Sequence, residues 1–182
     1  MTNFPFQKVI IVGSTGSGKS TLAKQISEIG NFNYIELDSL YWLPDWTHRN
    51  NDEFLGLVNQ AISESRWVAD GNYRVSREMI WKQADTLIWL DYSFVVIFSQ
   101  LWKRTWRRWW KKELLWGKNQ ERLLPHLKFW STKESLFAWL ISTYRLRKIE
   151  YASLISSEDY KHLRVIHLKN REETRQWIQS IR

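Results

Sequence analysis

The chain has 182 residues, 43% of them apolar and 15% aromatic, with no cysteine and a formal net charge of +8. This supplies a core for one compact domain, excludes disulfides and thiolate metal sites, and offers no apolar run near the roughly 18 residues needed to span a bilayer. A cytoplasmic protein is expected, read as a single domain over 1–182, with charge that is unevenly placed: residues 1–100 sum to −3 and residues 101–182 to +11, which directs a polyanionic partner to the second half.

In chain order, Lys8 to Val12 is apolar and β-branched and predicts a short buried strand that runs into a glycine-rich loop. Ser20 to Ile29 then carries Leu22, Ile26 and Ile29 at helical spacing. Short apolar runs at Tyr34 to Leu37, Trp67 to Asp70, Thr86 to Leu90 and Leu163 to Leu168 predict four more strands, with helical patterns at Asp52 to Ser65 and Val95 to Leu115. Strands alternating with helices predict an α/β three-layer fold, a five-stranded parallel sheet covered on both faces. Between 116 and 150, Pro125 breaks an aromatic, basic stretch in which Phe137, Leu140, Ile141 and Tyr144 predict helix. Four scattered histidines make no metal motif.

The loop Gly13-Ser14-Thr15-Gly16-Ser17-Gly18-Lys19-Ser20 has the spacing of a P-loop. Glycines let successive backbone N–H groups face phosphate, and the following helix presents its N-terminus to the anion. Lys19 is then expected on the β- and γ-phosphates of ATP, Ser20 on Mg2+, and Thr21 beside them at the helix start. The glycine spacing does not fit the dinucleotide fingerprint. Magnesium also requires a carboxylate at a strand end, for which Asp70 is the candidate and Asp91 the runner-up; a solvated loop carboxylate is the alternative for either.

Trp67-Val68-Ala69-Asp70-Gly71-Asn72-Tyr73 resembles the Asp-Gly-aromatic-Pro-Arg turn of adenylate kinases. With Leu37-Asp38-Ser39-Leu40-Tyr41-Trp42 upstream, the order of motifs is most similar to the adenylate-kinase-like DNA topology modulation (FlaR-type) proteins. The resemblance implies a nucleoside-monophosphate-kinase-like fold, with an acceptor-binding insertion at about 38–65 and a basic helical lid at about 100–120. By the same resemblance Asp38 faces the acceptor and orients or deprotonates a hydroxyl, the alternative being a capping carboxylate. Trp42 and Trp46 either stack on the acceptor or pack. Arg74 and Arg77 match by position the arginine that clamps acceptor phosphate, although Pro-Arg itself is absent.

From Lys103 to Lys112, six of ten residues are Lys or Arg, interleaved with Trp106, Trp109 and Trp110. Arg104, Arg107 and Arg108 read as lid arginines that spread the charge of a transferring phosphoryl group. The same segment also suits nucleic-acid phosphates with stacked bases, an anionic membrane surface, or a solvated amphipathic helix. The expectation is an ATP- and Mg2+-dependent phosphotransferase acting on a small molecule or nucleotide, with no membrane partner. A P-loop ATPase and a nucleotide-dependent nucleic-acid-binding regulator are the alternatives.

Overall fold

The computed structural model describes residues 5–120, 131 and 135–182. Five strands, β1 (Lys8–Gly13), β2 (Asn33–Glu36), β3 (Trp67–Asp70), β4 (Thr86–Leu90) and β7 (Arg164–Leu168), form one parallel sheet in the order β2-β3-β1-β4-β7. Alternate residues of β1 enter opposite layers. Val9 and Ile11 pack with Leu22, Ile26, Ile97 and Leu101, while Ile10 and Val12 pack with Phe54, Val58, Trp67 and Trp81. Burial on both faces explains why these strands read as continuous apolar runs.

Among the described residues the α-helices are α1 (Lys19–Gly30), α2 (Leu37–Tyr41), α3 (Asn51–Ile62), α4 (Arg74–Gln83), α5 (Phe94–Trp110), α6 (Leu136–Ile155) and α7 (Arg171–Ser180). The five predicted strands and the helices near 52–65 and 95–115 are present, and α6 includes the 137–144 pattern; Pro125 lies outside the described residues. Leu37, expected to end a strand, instead begins α2. There it packs on the bare backbone of Gly71, where a Cβ would come within 2.7 Å of the Leu37 Cβ. The helix expected to reach Leu115 stops at Trp110, because Lys112 turns left-handed with φ 49°. A hairpin of β5 (Leu114–Leu115) and β6 (Asn119–Gln120) follows, closed by left-handed Trp116 and Gly117. Among the described residues no helix is long and apolar enough to cross a membrane.

Sheet register gathers the chemistry at the carboxyl edge. Gly13 pairs with Leu90, and Asp70 pairs with both Ile11 and Glu36. The phosphate loop, Asp70, Asp38 and Asp91 therefore leave neighbouring strands at one end, where parallel sheets place their ligands.

Candidate active site

Gly13 ends β1 with φ 148°, and a Cβ there would approach the Leu90 carbonyl oxygen to 2.6 Å. Only a bare backbone lets the loop turn this tightly beside β4. The turn delivers Lys19 to the first position of α1, where its Nζ donates to the carbonyls of Gly13 at 3.1 Å and Ser14 at 3.0 Å. Burial lowers the Lys19 pKa to about 8, partly offset by the Asp70 charge and reinforced by Arg147 and Arg104.

Ser20 donates its hydroxyl to Asp70 Oδ2 at 2.6 Å, and Tyr34 donates to Asp70 Oδ1 at 3.1 Å. Desolvation raises the Asp70 pKa to about 6, against the lowering effects of the Ser20 hydrogen bond and Lys19. A buried carboxylate touching a serine hydroxyl offers a pair of hard oxygen donors. That pair suits Mg2+, which keeps several waters and takes one or two carboxylates beside phosphate. Asp91 is differently engaged, ion-paired to Lys148 at 2.9 Å and in hydrogen-bond contact with His167 Nε2 at 3.1 Å. His167 in turn stacks on Trp89 with ring centroids 4.2 Å apart.

Asp38 lies exposed at the start of α2, accepting a 2.7 Å hydrogen bond from the Tyr73 hydroxyl. It is near enough to Lys19 and Asp70 for its charge to act on both. Trp42 packs edge-on against Tyr41 and Trp46. Arg74 and Arg77 both meet Glu150 of α6 at 3.0 Å. Of the basic segment, Arg104 lies within electrostatic reach of Lys19, whereas Arg107 and Arg108 face Glu113 at 3.2 and 3.9 Å. The structure thus brings Lys19, Ser20, Asp70, Asp38 and Arg104 together and engages Arg74, Arg77, Arg107 and Arg108 in ion pairs.

Several residues at the site carry no such assignment from the sequence. Asn72 donates to the Gly13 carbonyl at 2.7 Å and accepts from the Tyr151 hydroxyl at 2.8 Å, tying α6 to the phosphate loop. Arg147, one turn before Tyr151, acts on Lys19 from the same helix. Nothing local in the sequence of α6 marks it, because its relation to the loop is purely tertiary. Beyond the loop a groove of about 520 Å³ runs between α1 and α7, lined by Thr21, Gln25, Gln100, Arg171 and Thr174. With its amide oxygen and nitrogen interchanged to suit both neighbours, Gln100 donates to the Gly16 carbonyl at 2.7 Å and accepts from Arg171. The helix α7 that walls this groove could have been found from its start signal, Asn170 three residues before Glu173: the Asn170 side chain accepts from the Glu173 amide, and the Glu173 carboxylate accepts from the Lys169 amide and the Asn170 side chain.

The hairpin is fastened to the segment after α2. Asn119 accepts from the Trp46 amide at 3.0 Å and donates to the Leu43 carbonyl at 2.8 Å; Trp46 Nε1 donates to the Gln120 carbonyl at 3.0 Å, and Lys118 to that of Ser39 at 3.0 Å.

A five-stranded parallel sheet with a phosphate loop at β1, in this strand order, is the fold of P-loop kinases. Among solved structures, shikimate kinase from Acinetobacter baumannii in complex with shikimate superposes with a TM-score of 0.59 and 14% identity, covering 97% of this chain and 91% of that one. A gluconokinase from Sinorhizobium meliloti 1021 gives 0.54 and 15%, over 98% and 90%. Shikimate kinase from Bacteroides thetaiotaomicron gives 0.53 and 16%, over 97% and 96%. In sequence the chain is 22% identical over 107 residues to shikimate kinase of Staphylococcus aureus strain MRSA252, a match over 51% of this chain that spans 62% of that relative's length. No protein-family model matches.

Proposed function

We propose that the chain is a phosphotransferase that moves the γ-phosphoryl group of ATP, with Mg2+, to a hydroxyl of a small molecule. The observation that carries this reading is the 2.6 Å contact of Ser20 with buried Asp70, directly beside Lys19 on the phosphate loop. Its named relatives, shikimate kinase and gluconokinase, act on small molecules and agree with it. Within this class the Leu37–Trp42 and Asp70–Tyr73 motifs favour likeness to the DNA topology modulation proteins, whereas the relatives found are shikimate kinases and a gluconokinase.

In this reading the nucleoside lies in the groove against α7, and the phosphates follow the loop. Lys19 exchanges the Gly13 and Ser14 carbonyls for phosphate oxygens. Ser20 and Asp70 hold Mg2+, which when bound neutralises charge on the β- and γ-phosphates. Asp38, steadied by Tyr73, orients the acceptor hydroxyl and takes its proton. The acceptor oxygen then bonds to the γ-phosphorus as the bridge to the β-phosphate breaks and ADP leaves. Arg104 and Arg147 spread the charge that develops on the transferring group. Residues 38–65 form the acceptor side and 100–120 the cover. Labelled transfer from ATP across a panel of small alcohols, sugars, cyclitols and nucleosides tests the reading. Acceptor-dependent transfer supports it, and hydrolysis indifferent to every acceptor opposes it.

A further inference from the structure

Resting on the phosphate-binding part of that reading, we propose that Asn72 and Tyr151 are positioning residues for the nucleotide, with Tyr151 acting through the Asn72 amide on the phosphate loop. Asn72 Nδ2 donates to the Gly13 carbonyl at 2.7 Å, and its Oδ1 accepts from the Tyr151 hydroxyl at 2.8 Å. A carbonyl oxygen can only accept, so the amide must turn its nitrogen to Gly13 and its oxygen to Tyr151. Tyr151 is held firmly in the core: it is only 2% exposed, and its ring lies against those of Trp81 and Trp89, with centroids 6.3 and 6.1 Å away. Burial raises its pKa above the ordinary value, against the lowering charges of Arg147 and Arg77, so the hydroxyl keeps the proton that it donates. Asn72 is anchored by its chain neighbours as well, since Gly71 lies bare against Leu37 and the Tyr73 hydroxyl bonds Asp38.

Gly13 needs such a hold. With no side chain to resist rotation, a glycine at φ 148° leaves the direction of its carbonyl to the groups that bond it. That carbonyl and the Ser14 amide share one planar unit, so fixing the carbonyl fixes how the loop leaves β1. In the nucleotide-free chain the Lys19 ammonium also meets the Gly13 carbonyl, at 3.1 Å. Once Lys19 turns to phosphate, Asn72 keeps the carbonyl in place, and the loop meets its ligand already shaped instead of ordering as it binds. A neutral amide suits this task, because it holds the carbonyl without adding a negative charge that would compete with phosphate for Lys19.

The alternative is that the two side chains only fasten α6 to the sheet, as Tyr144 does by donating to the Tyr92 carbonyl at 3.1 Å. The test compares the native full chain with Asn72→Ala, Tyr151→Phe, the double variant and Tyr144→Phe, by calorimetric titration of ADP and of inorganic tripolyphosphate well below each melting temperature. Asn72→Ala should weaken both ligands about tenfold and Tyr151→Phe about threefold, the range of one lost hydrogen bond. The double variant should match Asn72→Ala, because Tyr151 then has no amide to act through. Tyr144→Phe should lower the melting temperature and leave both affinities unchanged. Native affinities in folded Asn72→Ala or Tyr151→Phe, an equal fall in Tyr144→Phe, or additive losses in the double variant overturn the proposal. Tyr151→Phe, which removes one oxygen atom, decides the matter should Asn72→Ala fail to fold. A native chain that binds neither ligand overturns the proposal together with the phosphate loop. Binding without transfer to any acceptor counts against the phosphotransferase reading alone, and the same affinities then still decide the roles of Asn72 and Tyr151.

Discussion

Asn119 holds Trp46 in place: its Oδ1 accepts the Trp46 amide at 3.0 Å while its Nδ2 reaches the Leu43 carbonyl at 2.8 Å. Asn119 is buried, and the turn it grips has two successive left-handed residues, Asp45 and Trp46, at φ 58° and 57°. Such backbone costs on the order of 1–3 kcal/mol per residue and persists only where its surroundings hold it.

The cover and the acceptor side should therefore open as one body. Asn119→Ala orphans a half-buried amide and a carbonyl, at up to about 1–3 kcal/mol each where water does not replace the bond. Hydrogen exchange should accelerate together across 39–50 and 114–120, with the sheet strands unchanged. Acceleration limited to 114–120 would show that the two segments move independently.

Asp70 and Asp91 should respond in opposite ways. Asp70→Asn removes a carboxylate whose folded pKa, about 6, lies above its ordinary 3.8. A raised folded value means that ionising this carboxyl destabilises the fold. The cost is absent below about pH 4 and complete above about pH 6, and between them it grows by about 1.4 kcal/mol for each pH unit. The nucleotide-free Asn variant should thus be more stable at pH 7, by up to about 3 kcal/mol, yet lose Mg2+-dependent turnover about a hundredfold. Asp91→Asn breaks the contacts to Lys148 and His167 and should lower the melting temperature with turnover largely kept. Equal losses of turnover in the two variants contradict the assignment.

Binding should follow pH through the same groups. Affinity for the Mg2+-loaded analogue should rise as Asp70 ionises through about pH 6, and fall as Lys19 loses its proton above about pH 8. Asp70→Asn should abolish the lower step while leaving the upper one. Calorimetry from pH 5 to 9 reads both, and a lower step surviving in Asp70→Asn assigns it elsewhere.

Among the arginines, Arg104→Ala and Arg147→Ala should each lower kcat by about a hundredfold with modest change in analogue affinity, because charge is redistributed mainly in the transition state. Arg107→Ala, which loses an exposed pair with Glu113, should change kcat less than about threefold, in keeping with surface pairs worth under about 1 kcal/mol. A larger kcat effect at Arg107 than at Arg104 would reverse the assignment.

What is legible in the sequence is what repeats locally. The strands are apolar on both faces, and the phosphate loop is defined by spacing alone, so both can be read without a structure. Helix α4 leaves no such trace, because only Ser76, Ile80 and Trp81 of its ten residues are buried and the apolar period is faint. The roles of Asn72, Arg147 and Asn119 depend on partners 59 to 128 residues away, which no local pattern encodes. The basic stretch at 103–112 reads as one lid, but helical geometry divides it: Arg104 acts on Lys19, and Arg107 and Arg108 close on Glu113.

Transfer of label from γ-labelled ATP to an added acceptor, compared between the native chain and Lys19→Ala, bears most directly on the phosphotransferase reading. Among the described residues the Lys19 ammonium bonds the loop carbonyls of Gly13 and Ser14, so its loss should leave the folded sheet intact. The expected result is acceptor-dependent, Mg2+-dependent transfer by the native chain that falls by about a hundredfold or more in a folded Lys19→Ala protein. Equal transfer by both proteins, or label released only as inorganic phosphate at a rate no acceptor changes, would contradict it.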